Sequence, residues 1–197
     1  MNGSVTESLT PARFRLAGLL AMLNALLAIP WFILTLSLAE KSEPWTKLAE
    51  ASMMLLSTTL FIYIIVTLRT LVNRRYAFHA ADQLILWQIK LNLIALAVSL
   101  VGIAVPDTAS TANILALVLV VPMGILQLMF GQRFLQLPAD LNGLLRPYCY
   151  LNMAAGFCLA SVVLIPLGIL AGAISDIMLG TIFFQSLPPR PTIDTEA

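Results

Sequence analysis

The chain has 197 residues, 59% apolar and only 11% charged, with a net charge of +1. Charged residues are about half as frequent as in a soluble domain, too few to clothe a water-facing surface, so lipid is the expected solvent. Near neutrality, with no basic patch interleaved with aromatics, argues against a nucleic-acid partner.

Five stretches, at 16–39, 51–68, 91–105, 108–132 and 147–175, hold no Asp, Glu, Lys or Arg. About 20 mostly apolar residues cross roughly 30 Å of hydrocarbon as a helix. The chain therefore reads as all-α: a polytopic helical membrane protein, a bundle of five transmembrane helices. A polar cytoplasmic arm is expected at 1–12, one transmembrane domain at 13–187 and a polar tail at 188–197.

In chain order, Ser8-Leu9-Thr10-Pro11 reads as a helix start, with Thr10 as cap and Pro11 at the first helical position. Span 1 follows at about 14–38. Its 24-residue apolar run exceeds the h-region of a signal peptide, so a retained span is expected rather than a cleaved leader. Pro44 and Trp45 mark the next interface. Span 2 covers about 48–71, with Arg69 near its end. Beyond it, Arg74 and Arg75 are candidate contacts for lipid headgroups, each worth about 1 kcal/mol near an anionic surface.

Span 3, about 84–105, contains Lys90, whose aliphatic stem can snorkel to the near interface. It stops at Pro106-Asp107, and span 4 covers about 112–134. The mixed segment 136–146, broken by Pro138 and Gly143, suits the interface. The last run, 150–184, would be about 52 Å long as one helix, more than the roughly 40–45 Å of core plus headgroups. One tilted span is favoured, because a turn at Pro166-Leu167-Gly168 would expose unpaired backbone groups to lipid. Such a turn near Pro166 would make six helices.

Arg13, Arg15, Arg69, Arg74, Arg75, Arg133 and Arg146 fall on one side of this arrangement, against Lys41 and Lys47 in the first loop of the other. The bias predicts a cytoplasmic amino terminus, in a plasma (inner) membrane.

The most specific local pattern is a ridge of small residues. Gly168, Gly172, Asp176 and Gly180 recur every four positions, with Gly156 and Ala160 ahead of them in the same register. Such spacing lets a second helix backbone approach closely, so a helix–helix seam is expected, within the bundle or with another membrane protein or copy. Asp176 lies on this ridge. An ionisable group in a span costs at least about 2.5–3.5 kcal/mol at mid-bilayer and marks a candidate ion- or proton-linked site, as Lys90 does. In a five-span chain Asp176 would approach the outer headgroups; a turn at Pro166 would put it on a buried return leg. Gln88, Asn92 and Ser99 share one face of span 3, and Asn113, Gly124, Gln127 and Gly131 one face of span 4, a possible polar path.

Catalytic, cofactor and metal signals are absent from the sequence. His79 is the single histidine, three residues from Asp82, and no nucleophile motif accompanies it. Cys149 and Cys158 are nine residues apart, facing opposite sides of one helix, and cannot pair. The leading functional expectation is a non-enzymatic accessory or assembly component acting through helix packing. The alternative is a small transporter or channel using Asp176 and the polar faces of spans 3 and 4.

Overall fold

The structure, a computed structural model, describes residues 11–39 and 43–186. Among these are six α-helices and no strand: α1 (Pro11–Ala39), α2 (Pro44–Tyr76), α3 (Asp82–Ala104), α4 (Ala109–Phe134), α5 (Leu145–Ala160) and α6 (Ile165–Gln185). The terminal arm before Pro11, with the Thr10 cap, and the tail lie outside the described residues. Five of the helices are long and apolar enough to cross a bilayer; α5, at 16 residues, is too short by itself.

The run read as one span at 150–184 is two helices. The chain leaves α5 at Ala160 and enters α6 at Ile165, and the two pack side by side. The objection to a turn in lipid was its unpaired backbone, and here the turn pairs its own. Ser161 N–H donates to Phe157 O, Val162 to Leu159 O, Val163 to Ser161 O and Ile165 to Val162 O. Leu164 N–H donates to the Ser161 hydroxyl, which in turn donates to Cys158 O. Pro166 follows in the first turn of α6, where no N–H is needed. Val162 holds the corner at φ +62°, a left-handed conformation rare for a β-branched residue.

Each helix packs on the next in sequence, and α6 packs on α1, so the six close into a ring. The chain alternates direction, which returns α6 to the end where α1 starts. Phe183 stacks on Phe14 with ring centroids 6.4 Å apart, and an Arg75 guanidinium N–H donates to Ser186 O at 3.1 Å. That end carries the arginines of the α2 and α4 C-termini and of α5's first turn.

Two pairs of facing glycines allow close helix approaches. A Cβ on Gly124 would sit 2.5–2.6 Å from Ala160 N and Gly156 O, and one on Gly156 would meet Gly124 O at 2.6 Å. Gly18 and Gly180 face each other across α1 and α6 in the same way, each 3.0–3.1 Å from the other's carbonyl. These approaches replace side-chain packing by backbone contact, the usual device of helices in lipid.

The main core fills the arginine end of the ring. Phe14, Phe130, Phe134, Tyr148 and Phe183 are its largest members, and Phe134 meets Phe130 and Tyr148 ring to ring. Many large side chains outside this core, such as Leu26, Leu48, Ile114 and Val163, are exposed, as a lipid-facing surface requires.

Candidate functional site

Above that core, where the ring of helices is not filled, lies a cavity of about 280 Å³ to which all six helices contribute. Asn92 lines it about 15 Å from the start of α3 and about 18 Å from its end, so the cavity sits near mid-depth. Among the described residues, its one acidic side chain is Asp176 of α6. The Asp176 carboxylate accepts a hydrogen bond from Asn24 Nδ2 of α1 at 2.7 Å. Asn24 is the lone amide of α1 and stands inside the uncharged run 16–39, so its side chain is better placed against the bundle than in lipid.

A second polar group joins α4, α5 and α6. Asn152 Nδ2 donates to Ser175 Oγ at 2.6 Å and to Tyr148 O at 3.0 Å, and Gln127 Nε2 lies 3.4 Å from Asn152 Oδ1. Asn152 and Ser175 are buried, and this chain of bonds satisfies them.

The remaining amides come from α3. Gln88 is only 9% exposed, lines the cavity, and forms no hydrogen bond with another described residue. Asn92, one turn later, also lines it without such a bond. Gln88 is buried and Asn92 half-buried, and no fully buried side-chain N or O atom among the described residues lacks a partner, so these two amides present their polar atoms to the open space of the cavity, which suits a polar occupant. The walls between the polar groups are apolar, among them Phe61, Ile65, Phe130 and Ile169.

A more open cavity of about 390 Å³ adjoins the first and shares Asn24, Ala28, Asn92 and Ile169 with it. It runs along Ser57, Thr58 and Ser99 toward the end away from the arginines. The central cavity is thus blocked on the arginine side by packed aromatics and continues on the other.

The structure gathers some of the residues marked from sequence and separates others. Gln88, Asn92, Gln127 and Asp176 meet around one cavity, and Ser99 continues the α3 stripe into the next. Asn113 is exposed, away from both. Lys90 is exposed too, with Nζ 4.9 Å from the Trp87 ring centroid, so it does not pair with Asp176. Asn24, Asn152, Ser175 and Tyr148 were missed as site residues; for the first two, an isolated Asn in an apolar helix was the available signal.

The small-residue ridge does not form one seam, because the break at 161–164 interrupts its register. Gly156 packs on α4, Gly168 on α5, and Gly180 on Gly18 and Met22 of α1. The Gly156 contact reaches Ala160 only from the α4 side, through Gly124. Gly172 has open space where a Cβ would point, and it lines the central cavity.

At the arginine end, Asp82 gathers the α2–α3 corner. It accepts from Arg69 Nε at 2.8 Å, from Asn73 Nδ2 at 2.8 and 3.0 Å, and pairs with His79 Nδ1 at 3.1 Å. His79 sits in the turn before α3 rather than on the same helix as Asp82. Arg75 lies over the Tyr76 ring at 5.9 Å. These groups brace a corner, and none of them reaches the cavity. Neither cysteine is in a disulfide; Cys149 is buried in the core.

No family model, curated protein or solved structure matches the chain.

Proposed function

We propose that this multi-pass membrane protein is a small transporter that holds its solute in the central cavity beside Asp176. The observation that carries the reading is the convergence of all six helices on one mid-depth cavity with a carboxylate in its wall and two unpaired amides beside it. Ionisable groups facing a bundle interior are typical of solute and ion pathways. A ring of helices around a mid-depth site suits alternating access, in which the block moves from one side of the solute to the other. The arginine-rich end is taken as cytoplasmic and the membrane as the plasma membrane, from the positive bias at that end.

An accessory role through the Gly168–Gly180 ridge has less support, because Gly168 and Gly180 are occupied by helices of the same chain. Catalysis has less support still, since His79 is tied to Asp82 at the α2–α3 corner, far along the chain from Ser175 and Asp176.

The test is water access to the cavity. In a Cys149→Ala, Cys158→Ala background, Gly172→Cys places a thiol in the open space of the cavity wall. A small impermeant methanethiosulfonate added to intact cells is expected to modify it from the side opposite the arginines. No modification from either side, in cells or in opened membranes, would refute the reading.

A further inference from the structure

We infer that the central cavity is built for a small organic monocation, a primary ammonium carrying a short apolar chain. The inference rests on the transporter reading and names its solute class.

Charge is the first argument. Among the described residues, Asp176 is the one acidic group lining the cavity, and no Lys, Arg or His lines it. Its carboxyl group has one hydrogen bond, from the neutral amide of Asn24 to Oδ2; in the ionised form it has no counter-charge among the described residues of the cavity wall, and its second oxygen has no donor there. A cation offsets the cost of that charge at mid-bilayer; an anion or a neutral solute does not.

Hydrogen-bond valence is the second. A primary ammonium offers three N–H donors. The cavity offers the Asp176 carboxylate and the side-chain carbonyls of Gln88 and Asn92, which no described residue uses. The other amides are already paired: Asn24 donates to Asp176, Gln127 to Asn152, and Asn152 to Ser175.

Size and lining are the third. A volume of about 280 Å³ is just below the roughly 300 to 1,000 Å³ of pockets for drug-sized ligands, so a small solute fits it. It is far larger than one bare metal ion, and Phe61, Ile65, Phe130 and Ile169 give it walls suited to a short hydrocarbon chain. Aromatic walls add to the attraction of a cation.

The experiment uses the full chain in lipid nanodiscs and four probes at constant ionic strength: butylammonium, butanol, butyrate and sodium. Binding is read by titration calorimetry. Butylammonium is expected to bind saturably, and at least tenfold more weakly to Asp176→Asn and to Gln88→Leu. Gly172→Leu, which fills the cavity, is expected to abolish the signal. Asn keeps the shape of Asp and an acceptor for Asn24 while removing the charge, and Gln88 has no protein bond to lose, so neither variant should melt below the wild type when measured without probe. Equal butylammonium affinity in wild type and Asp176→Asn would overturn the assignment. Saturable binding of butanol, butyrate or sodium instead, abolished by Gly172→Leu, would also overturn it while sustaining the cavity as a binding site. If none of the four binds, the monocation assignment falls, and the Gly172→Cys accessibility result decides the transporter reading separately.

Discussion

Gly124→Ala and Gly172→Ala are the same chemical change at two glycines in similar apolar surroundings, and opposite outcomes are expected. At Gly124 the added methyl would lie 2.5 Å from Ala160 N and 2.6 Å from Gly156 O, both backbone atoms of α5. Ordinary contacts need about 3.5–4.0 Å, so α4 and α5 must separate by roughly 1 Å along much of their interface. Overpacking of this kind costs typically 1–3 kcal/mol, and more where only backbone can yield. The gain in helix propensity returns up to about 1 kcal/mol, leaving a net loss of about 1–2 kcal/mol. At Gly172 nothing lies within 4 Å of the new methyl. There only the propensity term acts, and the variant should be neutral or up to about 1 kcal/mol more stable. Reversible unfolding by SDS from mild detergent micelles, followed by circular dichroism, measures both. A Gly172→Ala loss as large as that of Gly124→Ala would show that Gly172 sits in a tight seam and would refute the open-cavity geometry.

Three further outcomes are expected. The Asn24–Asp176 bond spans α1 and α6, and a double-mutant cycle of Asn24→Ala with Asp176→Ala should show coupling of about 1–2 kcal/mol, above the roughly 0.6 kcal/mol average for hydrogen bonds between membrane helices; coupling near zero would deny the contact. Val162→Gly should raise stability by about 1 kcal/mol in the same SDS assay, because it relieves the positive φ at the α5–α6 corner; destabilisation would mean the turn is not left-handed there. Ser186→Cys and Asp107→Cys, in the cysteine-free background, lie at opposite ends of the ring. An impermeant maleimide on intact cells should label Asp107→Cys and spare Ser186→Cys until the cells are opened; labelling of both would restore the single long span.

Much of the architecture is legible in the chain because a span is a local property. Length and hydropathy placed the first four helices, α1 to α4, within a few residues of their observed ends, since each must satisfy its own backbone in lipid whatever its neighbours do. The α3 face that carries Gln88, Asn92 and Ser99 was legible for the same reason: 3.6 residues per turn puts them on one side. Asp176 stood out because a charge in an apolar run is costly wherever it lies.

Other features depended on contacts between distant residues. The local sequence did not decide between a kink and a turn near Pro166, because that depended on whether Ser161 and its neighbours could pair the N–H groups freed at 161–165, as they do. The glycine ridge shows a related limit: its spacing was visible, but Gly172 differs from Gly180 only in what stands opposite, cavity in one case and Gly18 in the other. Asn24 and Asp176 are 152 residues apart, and no periodicity links them. The sequence by itself pointed to apolar helices of membrane-spanning length, to polar faces on the third and fourth of them, and to a lone carboxyl group at Asp176. Only the closure of six helices into a ring decided that these faces meet around one cavity. Helical period is written in neighbouring residues, whereas the identity of the opposing surface is set by packing between elements far apart in the chain.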